Sequence, residues 1–151
     1  MSWDIFVQDF PPGAKRIKDI PDDFKPRKVI AKRSEVLRVI LELAPQADFT
    51  DPTWGRIDGD GFSIEVSIDE EEDLGGFAFF VRGVNPDVIT LIADILDRLK
   101  LRATTTSGFF RRGSSIRSFE RWQAYRNQVI DGAVPQRQPS PNKARLGSNR
   151  K

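Results

Sequence analysis

The chain has 151 residues, 24 basic and 22 acidic side chains, and neither histidine nor cysteine. These two absences exclude serine–histidine and cysteine–histidine catalysis, histidine and cysteine zinc sites, and iron–sulfur ligation. A chain of this length with 38% hydrophobic residues predicts one soluble domain, and no apolar run approaches the roughly 20 residues that a membrane helix needs.

The net charge of +2 hides an asymmetry between the body and the end of the chain. Residues 133–151 contain five basic residues and no acid, which leaves 19 basic against 22 acidic side chains in residues 1–132. We expect residues 1–132 to form a single α+β domain and residues 133–151 to form a disordered basic tail. The lack of cysteine and of a signal-peptide pattern predicts a cytoplasmic protein.

Apolar periodicity predicts a strand and a helix in the first third of the chain. Trp3–Phe10 alternates as a strand does, although Phe6 interrupts its polar face. Residues 13–32 are rich in proline, glycine and charge and are typical of a surface loop. A helix follows over Ser34–Ala44, with Ser34 as its expected N-cap.

The middle of the chain predicts a β-meander. Strict alternation over Phe62–Asp69 indicates a strand with one buried and one wet face. Phe77–Val81 is apolar on both faces and predicts a more central strand, and Asp69–Gly76 is the expected hairpin loop between them. Trp54–Ile57 predicts a short additional strand that pairs through an Asp58-Gly59 turn.

The last third predicts two helices and one short strand. Asn85-Pro86-Asp87 is typical of a helix start, and the apolar stripe continues to Leu99. A strand over 101–106, a loop over 107–115 and a final helix over 116–130 follow. Together these elements predict an α+β fold with an antiparallel sheet of four to five strands, two amphipathic helices on one face in a split β-α-β pattern, and a third C-terminal helix.

Two features indicate a surface that binds another protein. Asp69-Glu70-Glu71-Glu72-Asp73, the acidic segment, is the densest run of charge in the body and is suited to a basic partner. The plainer interpretation of this segment is a solvated hairpin tip. Trp54 has no periodic apolar neighbours, and we predict that it is an exposed functional aromatic residue.

A basic and aromatic cluster supports an alternative function. It consists of Phe109, Phe110, Arg111 and Arg112. Aromatic rings and arginines can bind single-stranded nucleic acid by stacking and phosphate contact, whereas the plainer interpretation packs the rings into the core and leaves the arginines in water. With a body that is acidic overall, we expect only weak nucleic-acid binding, through the tail.

Metal and catalytic motifs are weak in this chain. Asp58-Gly59-Asp60-Gly61 departs from a calcium loop at Phe62 and Ser63 and predicts a tight turn instead. Carboxylate pairs such as Glu65 with Asp58 leave a carboxylate-dependent enzyme open as a further alternative. We predict no catalytic, metal-binding or cofactor-binding residues.

The segments Met1–Asp9, Ile20–Phe24 and Asp51–Gly55 resemble those of a group of small uncharacterised bacterial proteins with an MSWDIFVQD-like start. The resemblance covers about residues 1–130 and implies a bacterial protein, with no activity attached. Our leading prediction is a non-catalytic domain that binds a basic protein through Trp54 and the acidic segment. By analogy, small acidic domains of this build serve as inhibitors or immunity-type partners.

Overall fold

The computed structural model describes residues 2–130. The chain divides into two compact units, of which Ser2–Ile116 form one, and Arg117 and the residues after it belong to the other. The predicted tail, residues 133–151, lies outside the described residues, so its predicted disorder stays a prediction.

Within residues 2–130, eight strands form two antiparallel sheets. The strands are β1 (Trp3–Gln8), β2 (Ala31–Lys32), β3 (Trp54–Gly59), β4 (Phe62–Ser67), β5 (Asp73–Leu74), β6 (Gly76–Gly83), β7 (Arg102–Thr105) and β8 (Gly108–Phe109). Six of them form one sheet in the order β3-β4-β6-β1-β7-β8, and β2 pairs with β5 in a small second sheet. The α+β class is confirmed. The predicted sheet of four to five strands has six, because β8 has only two residues and is too short to show a period.

The described part of the chain also has three α-helices: α1 (Arg33–Leu43), α2 (Asp87–Leu99) and α3 (Arg112–Ile130). A 3-10 turn at Ile17–Asp19 lies in the segment predicted as a loop. Helix α3 begins four residues before the predicted start, within the stretch predicted as a loop. There the Ser115 hydroxyl accepts a hydrogen bond from the Arg111 N–H at 2.9 Å and so supports the first turn.

The order β1-α1-β4-β6-α2-β7 follows the split β-α-β pattern. Strand β1 lies between β6 and β7 and is antiparallel to both. Strand β3 extends this arrangement beyond β4, and β8 extends it beyond β7. Helices α1 and α2 are the crossovers, and they lie against each other.

One set of alternating sheet positions is buried, and the central strands' other set, apart from Ala78, is exposed or half-buried. The buried sheet residues include Ile5, Val7, Ile57, Ile64, Val66, Phe79 and Val81. Helices α1 and α2 add Val36, Val39, Ile40, Val88, Ile92 and Ile95 to the buried apolar residues. The other sheet positions alternate with these and therefore lie on the opposite, open face.

Of the second unit, the structure describes residues 117–130, which are the C-terminal part of α3. The rings of Phe119 and Trp122 stack at 5.7 Å between centroids, and the Arg126 guanidinium lies 5.2 Å from the Trp122 ring. Within residues 2–130 no helix has the length and apolar character required to cross a membrane.

Candidate functional site

Trp54 begins β3, and its side chain lies on the open face of the sheet. The residue is 43% exposed. Its indole ring stacks on the Phe80 ring, with 5.6 Å between centroids and 20° between planes. Tryptophan is highly buried on average in proteins, so the exposure of Trp54 is unusual. The Phe80 ring fixes the position of the indole while its other side faces solvent.

Phe6 and Phe80 extend the exposed aromatic surface across the sheet. Phe6, on β1, is 44% exposed, and its ring meets the Phe80 ring edge to face at 6.3 Å. We name the surface formed by Phe6, Trp54 and Phe80 the aromatic face. Its three rings come from three different strands, so the pairing of the sheet and not any local sequence brings them together.

Small residues separate Trp54 from Phe6 and leave a groove between them. Trp54 pairs with Ser67, Ser67 with Ala78, and Ala78 with Phe6, in one row across four strands. The groove over this row has a volume of about 430 Å³ and is also lined by Asp69. The aromatic face is therefore concave along this row, as a surface that receives a protruding side chain must be.

Charges on the open face pair with one another. The Trp54 indole N–H donates to Glu65 at 3.2 Å, and Arg82 donates to the other oxygen of the same carboxylate. These bonds, that of Arg82 first, hold the pKa of Glu65 below its usual range. Arg56 pairs with Asp58 at 3.0 Å. Neither Arg56 nor Arg82 therefore leaves an excess positive charge beside the rings.

The outer edge of β3 is closed by the segment that precedes it. Asp48 and Arg56 exchange two backbone hydrogen bonds, of 2.8 and 2.9 Å. The Trp54 N–H donates to the Asp51 carbonyl, and the Gln46 side chain donates to the Asp58 carbonyl. The main chain at this edge is thus already engaged, and the face is the part of β3 that remains open to a partner.

The C-terminal half of the acidic segment is built into the fold. Glu72 accepts hydrogen bonds from the backbone N–H of Ser34, at 3.0 Å, and from the Ser34 hydroxyl. These bonds, the hydroxyl first, lower the pKa of Glu72. Ser34 does not cap α1 as predicted; it is the second residue of the helix, and Glu72 accepts from the free N–H at the start of α1.

Strand β5 holds the end of the acidic segment in place. Asp73 forms an ion pair with Lys32, and the two residues are register partners in the β2–β5 sheet. Leu74, the next residue, is completely buried. The hairpin predicted as a solvated loop is therefore anchored at this end by a strand, a helix start and a core residue.

The N-terminal half of the acidic segment is exposed. The side chains of Asp69, Glu70 and Glu71 form no hydrogen bond or ion pair with any residue among positions 2–130. The Asp69 backbone carbonyl accepts a hydrogen bond from the Arg33 side chain at 2.8 Å, which fixes the backbone there. Asp69 also lines the groove beside Trp54. Trp54 and Asp69, the first residue of the acidic segment, thus line the same groove.

The basic and aromatic cluster is engaged in contacts within the first unit. The Phe109 ring packs edge to face on Phe10 at 5.0 Å, and Phe110 lies 6.4 Å from Trp3. Arg111 donates to the Lys15 carbonyl. Arg112 pairs with Asp94 at 3.0 Å and Asp97 at 2.6 Å. The structure uses these four residues to attach β8 and the start of α3.

The candidate motifs for metal and acid–base chemistry do not converge. The turn between β3 and β4 is Asp60-Gly61, where Gly61 has a φ of +74° that glycine accepts readily. The predicted Asp58-Gly59 turn is wrong, because both residues pair with β4 as the last residues of β3. Among residues 2–130 no three acidic side chains group in a way that could hold a metal ion. The groove beside Trp54 contains a single carboxylate, that of Asp69.

Phe6 and Phe80 were not predicted as site residues, although the sequence contains a signal for each. Phe6 is the residue that interrupts the polar face of the first strand, and Phe80 belongs to a strand that is apolar on both faces. An apolar residue on the otherwise polar side of a strand indicates either a second core or an exposed patch. Only the strand order shows that these two residues are neighbours of Trp54.

No protein-family model, curated protein or solved structure matches this chain. A function therefore has to be argued from the aromatic face and the acidic segment beside it.

Proposed function

We propose that this protein is a non-catalytic binding module whose aromatic face docks onto another protein with a basic surface. The observation that supports the proposal most directly is the pair of exposed rings, Trp54 and Phe6, joined through Phe80 across three strands. Clustered exposed aromatic residues are typical of protein interfaces, and tryptophan is enriched among the residues that dominate binding energy.

The aromatic face is organised before any partner arrives. Trp54 is held by its stack on Phe80 and by its hydrogen bond to Glu65, and Glu65 is held by Arg82. A side chain that is already fixed loses little conformational freedom on binding. Trp54 therefore has the properties of an anchor residue at the centre of an interface.

The charges around the face favour a basic protein over a nucleic acid. Asp69 supplies an exposed carboxylate in the groove, and Glu70 and Glu71 follow it in the chain with exposed side chains. Such carboxylates attract cationic side chains and speed association. A nucleic acid requires an excess of positive charge along its phosphates, whereas Arg56 and Arg82 are paired with carboxylates. A small acidic module that covers a basic partner resembles an inhibitor or immunity-type protein, by analogy of size and charge.

The proposal is tested by retention of proteins from a lysate of the source cells on the immobilised full chain. We expect one protein to be retained in stoichiometric amount at moderate salt. Trp54→Ala should weaken the purified complex about thirty-fold, the equivalent of roughly 2 kcal/mol at an interface anchor. Calorimetric titration of the purified partner measures this change.

Leu41→Ala is the matched control, because Leu41 is an apolar residue of nearly equal exposure, 42%, on α1. We expect it to bind the partner as the wild-type protein does. Binding that is equally tight with Trp54→Ala, or retention of nucleic acid alone that disappears with salt, would contradict the proposal.

A further inference from the structure

A second groove lies where the end of β1 meets the beginning of β7. Gln8 and Arg102 are register partners there, and the loop after β1 forms the opposite wall. The groove has a volume of about 480 Å³, within the range of small-molecule sites. Its apolar lining residues are Phe10, Pro12, Phe24 and Leu101. A ligand with a flat apolar body has suitable walls here.

The charged lining of this groove is predominantly positive. It consists of three cations, Arg27, Lys100 and Arg102, and one carboxylate, Asp9. The Asp9 carboxylate forms an ion pair with Arg27. It accepts hydrogen bonds from the Arg27 backbone N–H at 2.8 Å and from two guanidinium N–H groups at 3.1 and 3.2 Å. One of the three cations is thereby neutralised within the fold.

The other two cations have no carboxylate partner among residues 2–130. Arg102 donates to the carbonyls of Pro11 and Ala14, and its guanidinium lies 4.1 Å from the Phe109 ring. These contacts fix the guanidinium without cancelling its charge. The Lys100 side chain is exposed at the rim and forms no ion pair with the described residues. The groove therefore holds an excess of two positive charges in a body that is acidic overall.

Lys100 occupies a backbone position at which a glycine is expected. It has φ 57° and ψ 42° and is the only non-glycine residue with positive φ among positions 2–130. The hydrogen bonds from the N–H groups of Lys100 and Leu101 back to Asp97 and Leu96 form the motif that ends helices with glycine. A lysine there is strained, and this residue is one of those that line the groove.

From these observations we infer that the groove binds a phosphate monoester that has an aromatic ring. The phosphate dianion matches the two uncompensated charges of Lys100 and Arg102, and the ring fits against Phe10 and Phe24. Arginine held by carbonyls and lysine on a flexible stem are both common phosphate ligands. This inference is independent of the aromatic face, which lies in a different groove.

The test is a titration of the full-length protein with phenyl phosphate, followed by nuclear magnetic resonance, with inorganic phosphate and phenol as the two partial ligands. We expect saturable shifts at the groove residues and at least tenfold tighter binding of phenyl phosphate than of either partial ligand. Absence of saturable binding would overturn the inference, and equal affinity for inorganic phosphate would overturn the aromatic part of it.

Variants at Lys100 separate ligand binding from folding. Lys100→Gly should weaken binding at least tenfold without loss of stability, since glycine suits the left-handed backbone. Lys100→Arg should bind within about threefold of wild type, because it retains the cation. Lys18→Ala removes the same charge from the exposed 3-10 turn and should leave binding unchanged. Wild-type affinity in Lys100→Gly would overturn the inference.

Discussion

Trp54 and the acidic segment look alike as candidate binding features in the sequence, but they have different relations to the fold. Trp54 lies on the open face of the six-stranded sheet and is 43% exposed, whereas Glu72 and Asp73 are bonded to α1 and β2. Of the five acidic residues, only Asp69, Glu70 and Glu71 have side chains that form no hydrogen bond or ion pair with residues 2–130. The difference shows that charge density alone does not identify a free surface. The free N–H groups at a helix start can bind a carboxylate of the same chain as readily as a partner protein can.

The largest effect is expected at the anchored end of the acidic segment. Leu74→Ala removes a completely buried side chain and should lower the free energy of unfolding by about 3 kcal/mol. Guanidinium denaturation measures the loss, with the exposed Leu41→Ala as control. Equal stability of the two variants would mean that the segment is not anchored, and the contrast between the two regions would disappear.

A smaller loss, dependent on pH, is expected from Ser34→Ala. The Ser34 hydroxyl is the chief cause that lowers the pKa of Glu72 in the folded protein below its usual value of 4.5. The hydrogen bond to the Glu72 carboxylate therefore stabilises the fold above pH 4.5, and this stabilisation is lost as the pH falls through the pKa of Glu72 in the folded protein. The variant should melt below the wild-type protein at pH 7, and the gap should narrow in acid. Ser107→Ala, in the turn between β7 and β8, is the control. A gap that stays constant from pH 7 to pH 3 would argue against the role of Glu72.

Trp54→Ala should change stability less than Leu74→Ala does. The loss of its stack on Phe80 should cost about 1 kcal/mol or less, while partner binding falls sharply. Thermal and chemical unfolding, compared with the binding measurement, show both effects. If Trp54→Ala destabilised the fold as much as Leu74→Ala, the aromatic face would be a small second core and not a binding surface.

The smallest effect on stability is expected from charge reversal at Glu70 and Glu71. The double variant Glu70→Lys, Glu71→Lys should unfold at the wild-type denaturant concentration, since neither side chain contacts the described residues. It should slow association with the basic partner several-fold at low salt, and the difference should fade as salt rises. Stopped-flow mixing measures the rate, and an unchanged rate would remove the acidic segment from the interface.

The longer elements could be predicted from the sequence because their signals are local. The alternation in β4 and the helix start before α2 are read from neighbouring residues. Trp54 could be predicted as exposed because it has no apolar period around it. The same reasoning misplaced the first turn of α3, where glycine and serine suggested a loop.

The remaining features depend on contacts between distant parts of the chain. Lys32 meets Asp73 across 41 positions, and Ser34 meets Glu72 across 38. No local pattern indicates such a pairing, since its partners share neither a period nor a motif. The neighbourhood of Phe6, Trp54 and Phe80 depends in the same way on strand order.

The hydrogen bonds along the outer edge of β3 limit the pairing of this edge with a strand of another copy of the protein. A strand at the edge of a sheet can aggregate, because its unpaired N–H and C=O groups can pair with a strand of another copy. An exposed aromatic patch beside such an edge can then pack against the added copy. The bridge between Asp48 and Arg56 and the bond from Gln46 remove that first step on this side. Any recognition at this side of the sheet therefore falls to side chains, which discriminate between neighbours better than a backbone edge does.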